Sequence, residues 1–180
     1  MTVRDIVAIA LFAALIAAFG FLPPVPVPVI AVPVTAQTLG VMLAGALLGA
    51  KRGFCAVVII WLLVAAGLPL LPGGRGGISI FLSPTAGYFV GWAFAAWLIG
   101  FFYDTFRNSI TPAKELVFLT LGGIAAIYCP GILWLSCTTH MPVNQAFSAN
   151  LFFLPGDIIK IVIACFIIRI IRKALPDALR

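Results

Sequence analysis

The chain reads as an all-α integral membrane protein of six transmembrane helices, forming one domain over residues 1–180. Three observations carry this expectation. Hydrophobic residues make up 63% and charged residues 9%, with a mean hydropathy of +1.21, whereas soluble domains carry about 25% charged residues. The apolar residues fall in continuous runs rather than in alternation, which argues against a membrane β-barrel. The basic residues gather where the loops of one membrane side would lie.

Spans are expected over 6–22, 38–50, 53–71, 87–103, 116–135 and 157–171, four of them near the roughly 20 apolar residues that cross hydrocarbon. The first follows Arg4-Asp5 and ends in Leu22-Pro23-Pro24. One leading base and no small-x-small cleavage site mark it as a retained helix rather than a secretory signal. The second span is short, and so is the sixth. Short apolar helices start inside a protein or break beside a binding site without ceasing to belong to the membrane. The third opens on Lys51-Arg52-Gly53, the fourth on Gly87-Tyr88, and the fifth follows Lys114. No length remains for an additional soluble domain.

With both termini in the cytoplasm, Arg4, Lys51, Arg52, Arg107, Lys114, Arg169, Arg172, Lys173 and Arg180 all lie inside, nine of the eleven basic residues. This is the expected orientation in the inner (cytoplasmic) membrane. The net charge of +6 does not point to nucleic acid, because the bases form no polar recognition face. Cys55, Cys129, Cys137 and Cys165 lack C-x-x-C spacing and are expected to act as small hydrophobes. His140, the single histidine, has no companion ligands, so no metal or cofactor site is expected.

Two bases, Arg75 and Lys160, do not fit the inside pattern. Lys160 follows Asp157 by three residues in Pro155-Gly156-Asp157-Ile158-Ile159-Lys160, so the two share one helical face. Charges at membrane depth cost roughly 2.5–3.5 kcal/mol each on insertion scales, and they face a cavity or a partner rather than lipid. A structural ion pair is the competing reading, though buried pairs are poor sources of stability.

Three external loops, 23–37, 72–86 and 136–150, lack an ordinary solvated charge pattern. The first carries Pro23, Pro24, Pro26, Pro28 and Pro33, a bias to extended polyproline geometry. It ends with Thr35 and Gln37, which supply polar groups to a ligand or cap the second helix. The second places Arg75 among Gly73, Gly74, Gly76 and Gly77, a turn in which backbone approaches a ligand closely. A guanidinium there suits two hydrogen bonds to a carboxylate, with contact to external lipid phosphate as the alternative. Ile78 to Leu82 is too short to span and suits a flap over a pocket. Tyr88 offers a ring and a hydroxyl, or else anchors the interface. Asn150 is the polar residue of the third loop most expected at the site. Two cations and one anion among Arg75, Asp157 and Lys160 leave one positive charge, so a small monovalent acid is expected, with Asp157 accepting N–H donors from its other end.

These residues sit in motifs that resemble the BioY family, the biotin-specific S component of energy-coupling factor (ECF) transporters, over nearly the whole chain. They are Pro33-Val34-Thr35-Ala36-Gln37-Thr38-Leu39-Gly40, Gly45-Ala46-Leu47-Leu48-Gly49-Ala50-Lys51-Arg52-Gly53, Gly73-Gly74-Arg75-Gly76-Gly77, Pro84-Thr85-Ala86-Gly87-Tyr88 and the Pro155 to Lys160 segment. Ser83 and Ala86 depart from it, standing where glycines are expected. The resemblance implies a six-helix S-component fold, biotin bound near the external face, and assembly with a transmembrane coupling subunit and cytoplasmic ATPase subunits. Arg75 and Lys160 would then meet the valerate carboxylate and Asp157 the ureido N–H donors, with the reverse assignment open. Ala10, Ala14 and Ala18 form a small-residue face on helix one. In this family such a face resembles the docking surface for the coupling subunit, and packing against a neighbouring span is the alternative.

The chain has no G-x-x-x-x-G-K-[ST] phosphate loop, so ATP would be used only in partner subunits. A stand-alone facilitator or ion-coupled carrier of a small carboxylate vitamin, with Asp157 as proton relay, is the other transport reading. An intramembrane enzyme is disfavoured, because no nucleophile with an adjacent base is present.

Overall fold

The computed structural model describes residues 1–24 and 34–174. Pro26, Pro28, Pro33 and Arg180, named above, lie outside the described residues. The chain is all-helical: α1 (Val3–Gly20), α2 (Gln37–Leu48), α3 (Ala50–Ala65), α4 (Ala86–Thr105), α5 (Pro112–Thr120), α6 (Ala126–Thr139), α7 (Val143–Asn150) and α8 (Leu154–Ala174). A π turn at Leu121–Ala125 joins α5 to α6, and a short 3-10 turn at Leu151–Phe153 joins α7 to α8. Six rods result, four of them long and apolar enough to cross a membrane: Val3–Gly20, Ala86–Thr105, Pro112–Thr139 and Val143–Ala174. α2 and α3 are shorter.

Local chemistry explains the boundaries. α1 begins in a capping box, with Thr2 Oγ1 accepting from Asp5 N–H and Asp5 Oδ2 accepting from Thr2 N–H at 2.7 Å. The other carboxylate oxygen of Asp5 takes Arg52 Nη1 at 3.1 Å, which fastens α1 to the start of α3. α2 and α3 meet at Gly49, whose φ of +82° is open to glycine and strained for residues with a Cβ. The α3 end this exposes is capped from outside, where Asp104 Oδ2 accepts the Ala50 N–H at 2.9 Å.

α4 buries most of its surface, leaving one outward stripe at Phe94, Trp97 and Phe101, as expected for a helix packed on several sides in a bundle. Its small residues let neighbours approach closely: Gly91 meets the α6 backbone at Ile127, and Gly45 of α2 meets Ala96. Large apolar side chains such as Leu62, Phe94, Trp97, Phe166 and Ile170 face outward, a surface suited to lipid rather than water.

Three expectations change. The segment 136–150 is not a loop throughout, because Val143–Asn150 is helical. Pro155-Gly156 is no break but lies in the first turn of α8, where the missing proline N–H costs nothing. The 78–82 run is a 3-10 turn that tucks Ile80 into the core and sets Phe81 5.4 Å from Phe89, so it braces α4 instead of lining the cavity described next.

Candidate functional site

A cavity, about 620 Å³ when the solvent-open space at its mouth is included, opens where the N-terminal ends of α2, α4 and α8 converge with α6 and the turn after α3. Arg75, Tyr88, Asp157, Lys160 and Thr35, five of the seven expected ligand residues, line it together.

Arg75 is presented by a tight turn in which Leu71 and Arg75 exchange backbone hydrogen bonds of 3.0 and 3.1 Å. Gly73 and Gly74 supply φ of +78° and +69°, the left-handed geometry that such a turn needs. Gly77 N–H bonds Val64 O at 2.8 Å, anchoring the turn to α3. Arg75 Nε donates to Pro72 O at 3.2 Å. That contact orients the guanidinium and leaves its Nη groups without a hydrogen-bond acceptor among the described residues.

Asp157 and Lys160 lie one turn apart on α8 and form an ion pair, Nζ to Oδ1 at 2.6 Å, with side chains only 7% and 12% exposed. Two hydroxyl groups complete the cluster. Tyr128 donates to Asp157 Oδ2 at 2.6 Å, and Lys160 Nζ donates to Thr38 Oγ1 at 2.9 Å. The pair therefore neutralises itself while still bordering open space. The net positive charge of the cavity rests on Arg75.

Aromatic side chains form the walls. Phe89 and Trp92 pack edge to face at 5.1 Å, and Phe153 stands edge-on to Tyr88 at 6.1 Å and to Tyr128 at 6.3 Å. Thr38, Phe89, Trp92, Tyr128 and Phe153 escaped the sequence reading. Thr85, Tyr88 and Trp92 are spaced three and four residues apart, a helical-face signal that points to Trp92 once Tyr88 is chosen.

Two expected ligand residues stand behind the wall. Gln37, fully buried, spends its amide on carbonyls: Nε2 donates to Ile16 O at 3.1 Å and to Leu70 O at 3.0 Å. This ties α1 and α2 to the chain just before the Arg75 turn. Its Oε1 has no partner among the described residues. Asn150, 1% exposed, bonds the Tyr88 hydroxyl at 3.0 Å through Oδ1 and 2.8 Å through Nδ2, while Nδ2 also donates to Ala146 O at 2.7 Å. Both hold residues that line the cavity or elements that carry them. Neither Thr35 nor Gln37 caps α2, whose N-terminal cap residue is Ala36 and makes no side-chain bond.

Ala10, Ala14 and Ala18 are exposed along α1, while Ala13 and Gly20 on the other face are buried. The alternating alanines thus divide between an inner packing face and an outer face that is exposed among the described residues. His140 ends α6 in left-handed geometry, and no cluster of metal-ligating side chains occurs among the described residues.

Fold and site together define a membrane-embedded helical protein built around a partly open small-molecule cavity, the class of substrate-binding transport proteins. The family model for BioY matches residues 1–177. The chain belongs to the BioY family, a family of transporters and not of enzymes. It is 45% identical to the biotin transporter BioY of Rhizobium etli over 98% of this chain and 97% of that protein. Identity to the Rhodobacter capsulatus biotin transporter BioY is 43%, again over 98% and 97%. A solved crystal structure, that of the S component for biotin from an ECF-type ABC transporter, superposes with a TM-score of 0.91 at 37% identity, covering 96% of this chain and 95% of that one.

Proposed function

We propose that this chain captures biotin at the outer face of the cytoplasmic membrane and delivers it inward as the substrate-binding S component of an ECF-type transporter. The observation that carries the reading is the cavity in which Arg75, the Asp157–Lys160 pair and an aromatic wall converge, within a BioY-family chain. Biotin has one carboxylate, an apolar fused ring and a ureido group with two N–H donors. Arg75 offers the open guanidinium edge for the carboxylate, with Lys160 at the same or an adjoining polar edge. Asp157 retains lone pairs for the ureido donors, and Trp92, Phe89 and Tyr88 cover the ring. Thr35 adds a hydroxyl, while Gln37 and Asn150 serve the ligand by positioning.

In this reading the whole chain acts as one transmembrane binding domain with both termini in the cytoplasm. Nine of the eleven basic residues then lie inside. Energy comes from ATP bound by cytoplasmic partner subunits, through a transmembrane coupling subunit. The exposed Ala10, Ala14 and Ala18 face suits close docking of that subunit's helix. No cofactor is carried by this chain.

The test is equilibrium binding to the detergent-purified chain. Biotin should bind saturably with one site, desthiobiotin more weakly, and an unrelated vitamin not at all. Equal binding of all three, or none, overturns the reading.

A further inference from the structure

The Ile78–Leu82 turn meets its backbone polar groups with protein, as a segment without water around it must. Gly77 N–H bonds Val64 O at 2.8 Å and Ile80 N–H bonds Gly77 O at 3.2 Å. Ser83 N–H bonds Ile80 O at 3.2 Å, and the same oxygen accepts the Ser83 hydroxyl at 2.6 Å. Ser83 O in turn accepts the Ala86 N–H at 3.0 Å and the Trp134 indole N–H at 2.9 Å. Irregular backbone at membrane depth persists only where its donors and acceptors are satisfied in this way. The side chains do not suit a turn bathed in water. Ile80 is buried and Phe81 packs on Phe89, but Ile78 and Leu82 are 74% and 78% exposed. Arg75 is the only charged residue between Arg52 and Asp104, so the turn itself carries no charge.

Depth can be counted along the helices that the turn bridges. Asp104 Oδ2 holds the Ala50 N–H at 2.9 Å, which sets the start of α3 level with the end of α4, beside Lys51 and Arg52. From that charged level α3 rises about 22 Å to Ala65 and α4 about 27 Å to Ala86, against roughly 30 Å of hydrocarbon. Tilt of either helix only lowers these heights. The turn hangs between the two levels, tied to Val64 O on α3 and set with Phe81 5.4 Å from Phe89 on α4. It therefore lies inside the margin of the hydrocarbon rather than above it. Leu62 of α3 and Phe94 of α4 also face outward, so Ile78 and Leu82 add to an apolar surface already suited to lipid.

We propose that this turn is a membrane-contacting element, with acyl chains of the leaflet on the cavity side covering Ile78 and Leu82. Lipid then backs Phe89, one of the aromatic walls of the cavity, through Phe81. The inference concerns lipid alone, stands apart from the biotin reading, and holds whichever end of the bundle faces outward.

The test places a small fluorescent amino acid at Ile78 or at Leu82 of the full chain, reconstituted in phosphatidylcholine nanodiscs. Quenching is compared between phosphatidylcholine that carries a nitroxide high on its acyl chain and iodide in the water. The same fluorophore at Leu62 on α3 and at Asn144 on α7, both exposed, supplies the lipid and the aqueous reference. Normalised to these, nitroxide quenching at both turn positions should exceed iodide quenching at least about threefold. Helical circular dichroism and a single elution peak certify the fold of each variant, and if one turn position fails that check the other carries the test. Iodide quenching that matches the Asn144 position puts the turn in water and overturns the proposal. Quenching by neither reagent means that protein covers the turn, whether a second copy or another part of the chain, and overturns it too.

Discussion

Replacing Lys160 by Met removes the cation from a pair whose side chains are 7% and 12% exposed and leaves the Asp157 carboxyl group without its partner beside an apolar wall. Breaking a buried pair on one side costs about 3–5 kcal/mol. Here the Tyr128 hydroxyl still donates to Asp157 Oδ2 at 2.6 Å, and the adjoining cavity admits solvent, so a loss somewhat below that range, about 2–3 kcal/mol, is expected. The double substitution Asp157→Asn/Lys160→Met removes both charges and should recover most of that loss, because an amide accepts the same Tyr128 hydrogen bond. Biotin affinity should not recover with it. Losing a charged hydrogen-bond partner costs about 1.5–3 kcal/mol, a rise in Kd of roughly ten- to hundredfold. Unfolding titrations in sodium dodecyl sulfate read the first quantity and calorimetry with biotin reads the second. Binding by the double variant within about threefold of the parent, or about 0.7 kcal/mol, would show the pair to be structural and refute the site. A double variant as unstable as Lys160→Met would instead refute the charge argument.

Tyr128→Phe keeps the ring against Phe153 but deletes the hydrogen bond to Asp157, so biotin Kd should rise several-fold, by about 1 kcal/mol in a binding titration. Gln37→Leu strips the donor from Ile16 O and Leu70 O while also removing the unpartnered Oε1. The two effects oppose, and a net loss of about 1 kcal/mol in unfolding titrations is expected, with biotin affinity following only through the Arg75 turn. Trp at both Ala14 and Ala18, exposed on α1, should spare biotin binding yet abolish co-purification with the coupling subunit and coupled uptake. Unchanged complex formation would count against docking there.

The rods were legible because apolar runs of this length have no other use, and the charged pair because its isolation in such a run is costly. What stayed hidden depends on helical phase. Gln37 and Thr38 are neighbours in the sequence, yet about 100° separates them around the helix axis. One is spent on carbonyls behind the wall, and the other meets Lys160 at the cavity. Composition cannot rank them. Tyr128 was overlooked because phase counted from the ends of its span is offset by the π turn at Leu121–Ala125, which inserts a residue into the helical repeat. The α7 helix carries Asn144, Gln145 and Ser148, residues that on composition alone read as loop.

Twelve residues raise α2 only about 18 Å, against roughly 30 Å of hydrocarbon. The cavity opens beside Thr38 at the N-terminal end of this short rod, and ten of its twelve residues are buried, so the helix behind the cavity is a packed plug about three-fifths as tall as the oil layer is thick. Side chains changing rotamer do not open a channel through such a plug.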